Sequence, residues 1–243
     1  MRSVFITGTD TGVGKTWTTC TLLQLLRERG IAAGAYKAVC SGAEFRADGS
    51  PYWGDVEQLR ASCVLNPSET LVCPQRFLAP VAPNLAAALE QRSVDEGLLS
   101  AGAAAWQGLT SMLLIEGAGG LYCPLTDRTT VLDLIQRLGS TAIVVAGNRL
   151  GCISHSRMTV ELLMRHGIGV AGVILNDVSA SEAAVSDQSL AHNAAQLQHW
   201  IPAPPLLTSA WNSRELRIFS GGKRGFADVA SWLDFAFETP AGS

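Results

Sequence analysis

Short apolar runs recur along the chain, and between them apolar residues spread out at helical intervals. "SVFIT" (residues 3–7) leads through a glycine-rich loop into "KTWTTCTLLQLLRERG". There Leu22, Leu23, Leu25 and Leu26 form an apolar stripe, Arg27 and Arg29 lie in the last turn, and Gly30 ends the helix. "AAGAY" predicts a second strand. "SMLLIEG", "TAIVVAG" and "GVAGVILND" are nearly continuous apolar runs, the pattern of strands covered on both faces. Helical patterns fall near residues 55–63, 94–106, 130–138, 153–166 and 182–200. The alternation predicts an α/β fold with a doubly wound, mostly parallel sheet flanked by helices. Ligands of such sheets bind outside the carboxyl ends of the strands, which is where every polar cluster below falls.

With 243 residues, 47% hydrophobic and 16% charged, the chain can bury a large core, and one domain over residues 1–237 is expected. The remaining "ETPAGS", residues 238–243, reads as a frayed tail. The net charge is −3 and no run of Lys or Arg builds a basic patch, so neither nucleic acid nor a membrane is an expected partner. No stretch of 18 consecutive apolar residues occurs, and the first residues run straight into a strand pattern, which predicts a cytoplasmic protein. The six cysteines (Cys20, Cys40, Cys63, Cys73, Cys123, Cys152) show no C-x-x-C spacing. They read as reduced, small apolar residues.

Residues 8–16, "GTDTGVGKT", place five residues between Gly8 and Gly14, where the common phosphate loop has four. The mechanism survives the longer spacer. Gly12 and Gly14 relax the loop, Lys15 offers a cation to phosphates, Thr16 offers a hydroxyl to Mg²⁺, and a helix N-terminus follows. "YKAVCSG" adds Lys37, Ser41 and Gly42 after the second strand, a cation with hydroxyl and amide donors. Glu116 ends an apolar strand where an NTPase sets an acidic residue near the metal, and "GAGG" behind it lets backbone approach a ligand. Asp55, in "WGDVEQL", reads equally as a second Mg²⁺ partner or a helix N-cap.

Taken together, "GTDTGVGKT", "YKAVCSG", "EGAGGLYCPL", "NRLGCISHSRMT" and "ILND" resemble the dethiobiotin synthetase family in order and interval, over residues 1 to about 204. The resemblance implies a P-loop NTPase-like fold and an ATP-dependent cyclo-ligase. In that reaction 7,8-diaminopelargonic acid takes up CO2 as a carbamate, and the carbamate attacks the γ-phosphoryl group of Mg-ATP. The second amine then closes the ureido ring, giving dethiobiotin, ADP and phosphate. By that resemblance Thr11, Gly12, Val13, Gly14, Lys15 and Thr16 hold the triphosphate, and Thr16, Asp55 and Glu116 surround Mg²⁺. Lys37 and Ser41 face the carbamate and the moving phosphoryl group. Thr11 and the backbone of Gly117, Ala118 and Gly119 face the diamine, and Asn176 meets the adenine. Leu150, Gly151, Cys152, Ile153 and Ser154 map onto the segment that a neighbouring subunit contributes to the substrate's carboxylate tail, which implies a homodimer.

The chain departs from well-known members at Gly12, Ala38 and Asn84, and after "IPAPP" it reads "LLTSAWNSRELRIFSGG", so its base contacts and nucleotide selectivity are not legible. Trp17 is assigned to packing rather than to base stacking, and His155 to surface hydrogen bonding. Other readings are a partition-type P-loop ATPase switch, a glutamine-dependent amidoligase and a synthetase paralogue that only binds nucleotide. The first needs an early second lysine where Thr9 and Asp10 stand, and the second needs a further domain.

Overall fold

The computed structural model describes residues 1–180 and 187–238. Seven strands form one sheet in the order Arg217–Ser220, Leu206–Ser209, Val170–Asp177, Thr141–Asn148, Arg2–Gly8, Met112–Glu116, Ala33–Lys37. Every neighbouring pair is parallel except Leu206–Ser209 with the edge strand Arg217–Ser220. The apolar runs predicted this: Phe5, Ile6, Leu113, Leu114, Ile143 and Val144 are fully buried, because helices cover the sheet. Each such side chain is worth roughly 2 kcal/mol relative to exposure. The buried apolar residues form one contiguous cluster.

Helix Lys15–Glu28 packs on the first three strands of this sheet in chain order, Arg2–Gly8, Ala33–Lys37 and, beyond a long insertion, Met112–Glu116. Cys152–Arg165 covers Thr141–Asn148 and Val170–Asp177, and Val229–Glu238 covers Arg2–Gly8 and Val170–Asp177. The pattern at 130–138 becomes helix Val131–Leu138, capped by Thr130 in a reciprocal box with Asp133. The pattern from 182 is shorter than expected. Residues 182–186 lie outside the described residues, and the helix runs over Leu190–Trp200 after a turn closed by Asp187 and Ser189. The expected frayed tail lies outside the described residues apart from Glu238.

Register sets the site. Lys37 and Glu116, on neighbouring parallel strands, are paired directly, and both end their strands. A two-residue ladder of Cys40–Ser41 with Arg76–Phe77 then turns the chain so that Pro80–Pro83 overhangs the same end of the sheet.

Candidate active site

Strand Arg2–Gly8 delivers the glycine loop to the N-terminus of helix Lys15–Glu28, and the loop closes on itself. Lys15 Nζ donates to the Asp10 carbonyl at 2.9 Å, and the Thr11 N–H donates to the Asp10 carboxylate at 2.7 Å. Gly14, with φ +91°, is required twice over: a Cβ there would lie 2.2 Å from Asn176 Nδ2. Burial holds Lys15 below the ordinary lysine pKa, against the attraction of Glu116. A buried cation facing a cavity with few bonds of its own is primed for an anion.

The second centre is a cation held between acids. Lys37 Nζ donates to Glu116 Oε1 at 2.7 Å and to Asp55 Oδ2, and Thr16 Oγ1 donates to the same Glu116 oxygen at 2.8 Å. Thr19, one helical turn on, donates to Glu116 Oε2 at 2.9 Å. The side chain of Glu116 is fully buried, that of Lys37 nearly so, and that of Asp55 is 43% exposed. Burial alone would lower the pKa of Lys37, but Glu116 and Asp55 outweigh it and hold it well above the ordinary lysine value. Burial likewise raises Asp55, and Lys37 overrides this, so its carboxyl titrates below the usual range.

Asp55 and Glu116 therefore meet at the Lys37 ammonium, with the Thr16 hydroxyl on the same Glu116 oxygen, which gathers the oxygen donors a hard cation takes. These oxygens would suit Mg²⁺, which is commonly held by one or two carboxylates together with substrate phosphates. Asp55 is not the N-cap: helix Gly54–Ser62 starts one residue earlier, after Trp53, and Asp55 lies in its first turn.

A cavity of about 650 Å³ gathers most of the predicted residues: Thr11, Gly12, Gly14, Lys15, Thr16, Lys37, Ser41, Asp55 and Gly117 to Gly119 all line it. Val13 is buried under the loop, and its carbonyl accepts from Asn176 Nδ2 at 3.1 Å. Ser41 Oγ donates to the Val81 carbonyl at 2.6 Å, tying the lysine strand to the proline overhang. Leu150 to Ser154 are not brought into their own chain's cavity. They form the start of helix Cys152–Arg165, with Leu150 80% exposed. Arg149 just before them pairs with Asp10 at 2.7 Å, linking the segment to the phosphate loop.

Sequence reasoning missed Thr19, Gln58, Cys123 and Pro80 to Pro83. Thr19 alone carried a signal, since Thr16 and Thr19 share a helix face. It also assigned Trp17 to packing alone, whereas Trp17 lines both this cavity and a smaller one beside it.

A mostly parallel sheet, a glycine loop at a helix N-terminus and an acid ending the neighbouring strand define a P-loop nucleoside-triphosphate-dependent protein. The fold is similar to that of chloroplast FtsY from Physcomitrella patens, with a TM-score of 0.51 at 16% identity, covering 96% of this chain and 64% of that one. The AAA domain family model matches residues 2–210. The chain is 41% identical over 212 residues, 87% of its length and 91% of its relative's, to ATP-dependent dethiobiotin synthetase BioD of Anaeromyxobacter dehalogenans strain 2CP-1. It is 35% identical to BioD 1 of Escherichia coli O157:H7, covering 91% and 96% of the two chains. The chain belongs to the ATP-dependent dethiobiotin synthetase family. These identities do not favour the partition-type switch.

Proposed function

We infer that the chain catalyses ATP-dependent dethiobiotin synthesis, a carbon–nitrogen ligase reaction on small molecules. The observation that carries it is Lys37 fixed between Asp55 and Glu116 at the wall of the cavity that the phosphate loop opens into. A pure nucleotide switch has no use for a second buried lysine there, whereas a carbamate beside a γ-phosphoryl group does. The substrates proposed are 7,8-diaminopelargonate, CO2 and ATP.

Loop residues Thr11 to Thr16 cradle the triphosphate by their backbone N–H groups, and Lys15 meets its outer phosphates. Mg²⁺, held by Thr16, Asp55 and Glu116, would neutralise charge on those phosphates. Thr11 and the backbone of Gly117 to Gly119 orient the diamine. Lys37 and Ser41 hold the carbamate so that one oxygen faces the γ-phosphorus in line. That oxygen forms the new P–O bond as the bond to ADP breaks. The second amine then attacks the carbonyl carbon, and phosphate leaves with the carbamate oxygen. The protein contributes positioning and charge rather than a nucleophile.

Each site is proposed to be completed by Leu150 to Ser154 of a second copy, since these residues lie exposed or at a helix start outside their own cavity. The test is incubation with diaminopelargonate, bicarbonate and Mg-ATP, followed by mass spectrometry. Dethiobiotin with equimolar ADP supports the reading. ADP without dethiobiotin would overturn it and leave a paralogue that hydrolyses ATP without the synthetase chemistry.

A further inference from the structure

Helix Lys15–Glu28 carries Thr18 and Thr19 side by side near its start, both buried, and their hydroxyls have different fates. Thr18 Oγ1 has no hydrogen-bond partner. Thr19 Oγ1 lies 2.9 Å from Glu116 Oε2 and also 2.9 Å from the Lys15 carbonyl, the usual back-bond of a helical threonine. A hydroxyl has one proton to give. The carboxylate takes it, because a hydrogen bond to an ionised acceptor is roughly twice as strong as one to a neutral carbonyl, and the carbonyl keeps its helical N–H partner.

The two oxygens of Glu116 are thereby made unlike. Oε1 is shared: Lys37 Nζ donates to it at 2.7 Å and Thr16 Oγ1 at 2.8 Å, and both of these residues line the main cavity. Among the described residues Oε2 has Thr19 as its one hydrogen-bond donor, and Thr19 is fully buried. One oxygen is exchangeable and the other is held.

That division matters when a cation arrives. A metal held by Thr16, Asp55 and Glu116 must take Oε1 over from the Lys37 ammonium, whereas Oε2 can keep its partner throughout. The last torsion of a glutamate is soft and nearly two-fold, so a carboxylate that loses its partner on one oxygen is free to swing unless the other is fastened. We propose that Thr19 is a positioning residue for the metal: it pins Glu116 Oε2, so that Glu116 offers the metal one oxygen in a fixed direction. Groups that orient a metal-binding carboxylate from behind typically carry about ten- to a hundredfold in metal affinity. The inference rests on the Mg²⁺ role given above to Glu116 and not on the identity of the diamine.

The test is a Mg²⁺ titration of the binding of a non-hydrolysable ATP analogue, which needs no turnover. Thr19→Val keeps the shape and removes the donor, so the half-saturating Mg²⁺ concentration is expected to rise about tenfold, with metal-free analogue binding within about twofold of the parent. Thr19→Ser restores the hydroxyl and should restore the parent's titration. Thr18→Val, at the hydroxyl without a partner, should leave it unchanged. A weak S–H donor in Thr19→Cys should give an intermediate rise, and this variant carries the test if Thr19→Val does not fold. A parent-like titration in Thr19→Val or Thr19→Cys, with Glu116→Gln shifted, would overturn the role of Thr19 alone. If Glu116→Gln is parent-like too, the metal reading of Glu116 falls with it. An equal loss of analogue binding with and without Mg²⁺ would also overturn the proposal, since it would mark Thr19 as a packing residue.

Discussion

Lys37 sits between the Asp55 and Glu116 carboxylates, with Thr16 donating to the same Glu116 oxygen, so in the metal-free protein it is the cation that keeps the buried Glu116 carboxylate compensated. Removing one partner of a buried pair typically costs about 3–5 kcal/mol, because the other charge is left unpaired. Asp55 is partly exposed, which places the expected loss for Lys37→Met nearer the lower figure. The variant should therefore melt below the parent without metal, and Mg²⁺ alone should raise its melting temperature more than it raises the parent's. Equal metal responses would show that Lys37 and Mg²⁺ do not share these oxygens. Lys37 and Glu116 were visible in the sequence as chemistry at strand ends, Thr16 at a helix start, and Asp55 as a metal partner or a helix cap. Their meeting was not, since it depends on the register that sets Lys37 beside Glu116. The tie between Trp17 and residues 213–214 was illegible for a related reason: the two lie most of the chain apart, and nothing local marks the bonds to Ser213 and Arg214.

Among elements, the phosphate loop and helix Val131–Leu138 make sharp predictions. Gly14→Ala would force a Cβ into Asn176 at a φ of +91°, so Mg-ATP affinity should fall at least tenfold in binding measurements, while changes at open Gly12 should be milder. Thr130→Ala removes the cap of Val131–Leu138 and should cost about 1 kcal/mol by denaturant unfolding near neutral pH. Bonds from the Thr130 hydroxyl and N–H hold the Asp133 carboxyl below its ordinary value of 3.8. A depressed folded-state pKa stabilises above the unfolded value and loses that contribution as pH falls through the folded one. The Thr130→Ala penalty should therefore shrink below about pH 4, and a penalty that stays constant in acid would contradict the box. Elements with long apolar runs or a cap signal were legible. The start of helix Leu190–Trp200 was not, because the Asp187 carboxylate takes the Ser189 N–H and hydroxyl in a turn that competes with the helix for backbone hydrogen bonds.

At the scale of the whole molecule, Leu150, Met158 and Trp200 stay about half-exposed or more, at 80%, 58% and 49%, in and around the segment proposed to complete a neighbour's site. Light scattering is expected to give twice the 25.7 kDa chain mass. Leu150→Asp should shift the protein toward monomer and raise KM for the diamine severalfold, leaving Mg-ATP binding nearly intact. A fully active monomer would contradict the shared site. The parallel sheet and the place of the cavity followed from the alternation of apolar runs and helical patterns, whereas a surface shared between copies leaves only scattered exposed apolar residues in a sequence.

The fate of one oxygen tests the proposed chemistry most directly. If Lys37 and Ser41 present a carbamate oxygen to the γ-phosphorus, that oxygen leaves with phosphate when the ring closes. Turnover of diaminopelargonate with ¹⁸O-labelled bicarbonate in Mg-ATP, sampled by mass spectrometry before the label exchanges with water, should give one ¹⁸O in each phosphate released and dethiobiotin in equal amount. Unlabelled phosphate alongside ADP would show that water, not carbamate, took the phosphoryl group, and would contradict the assignment of this cavity.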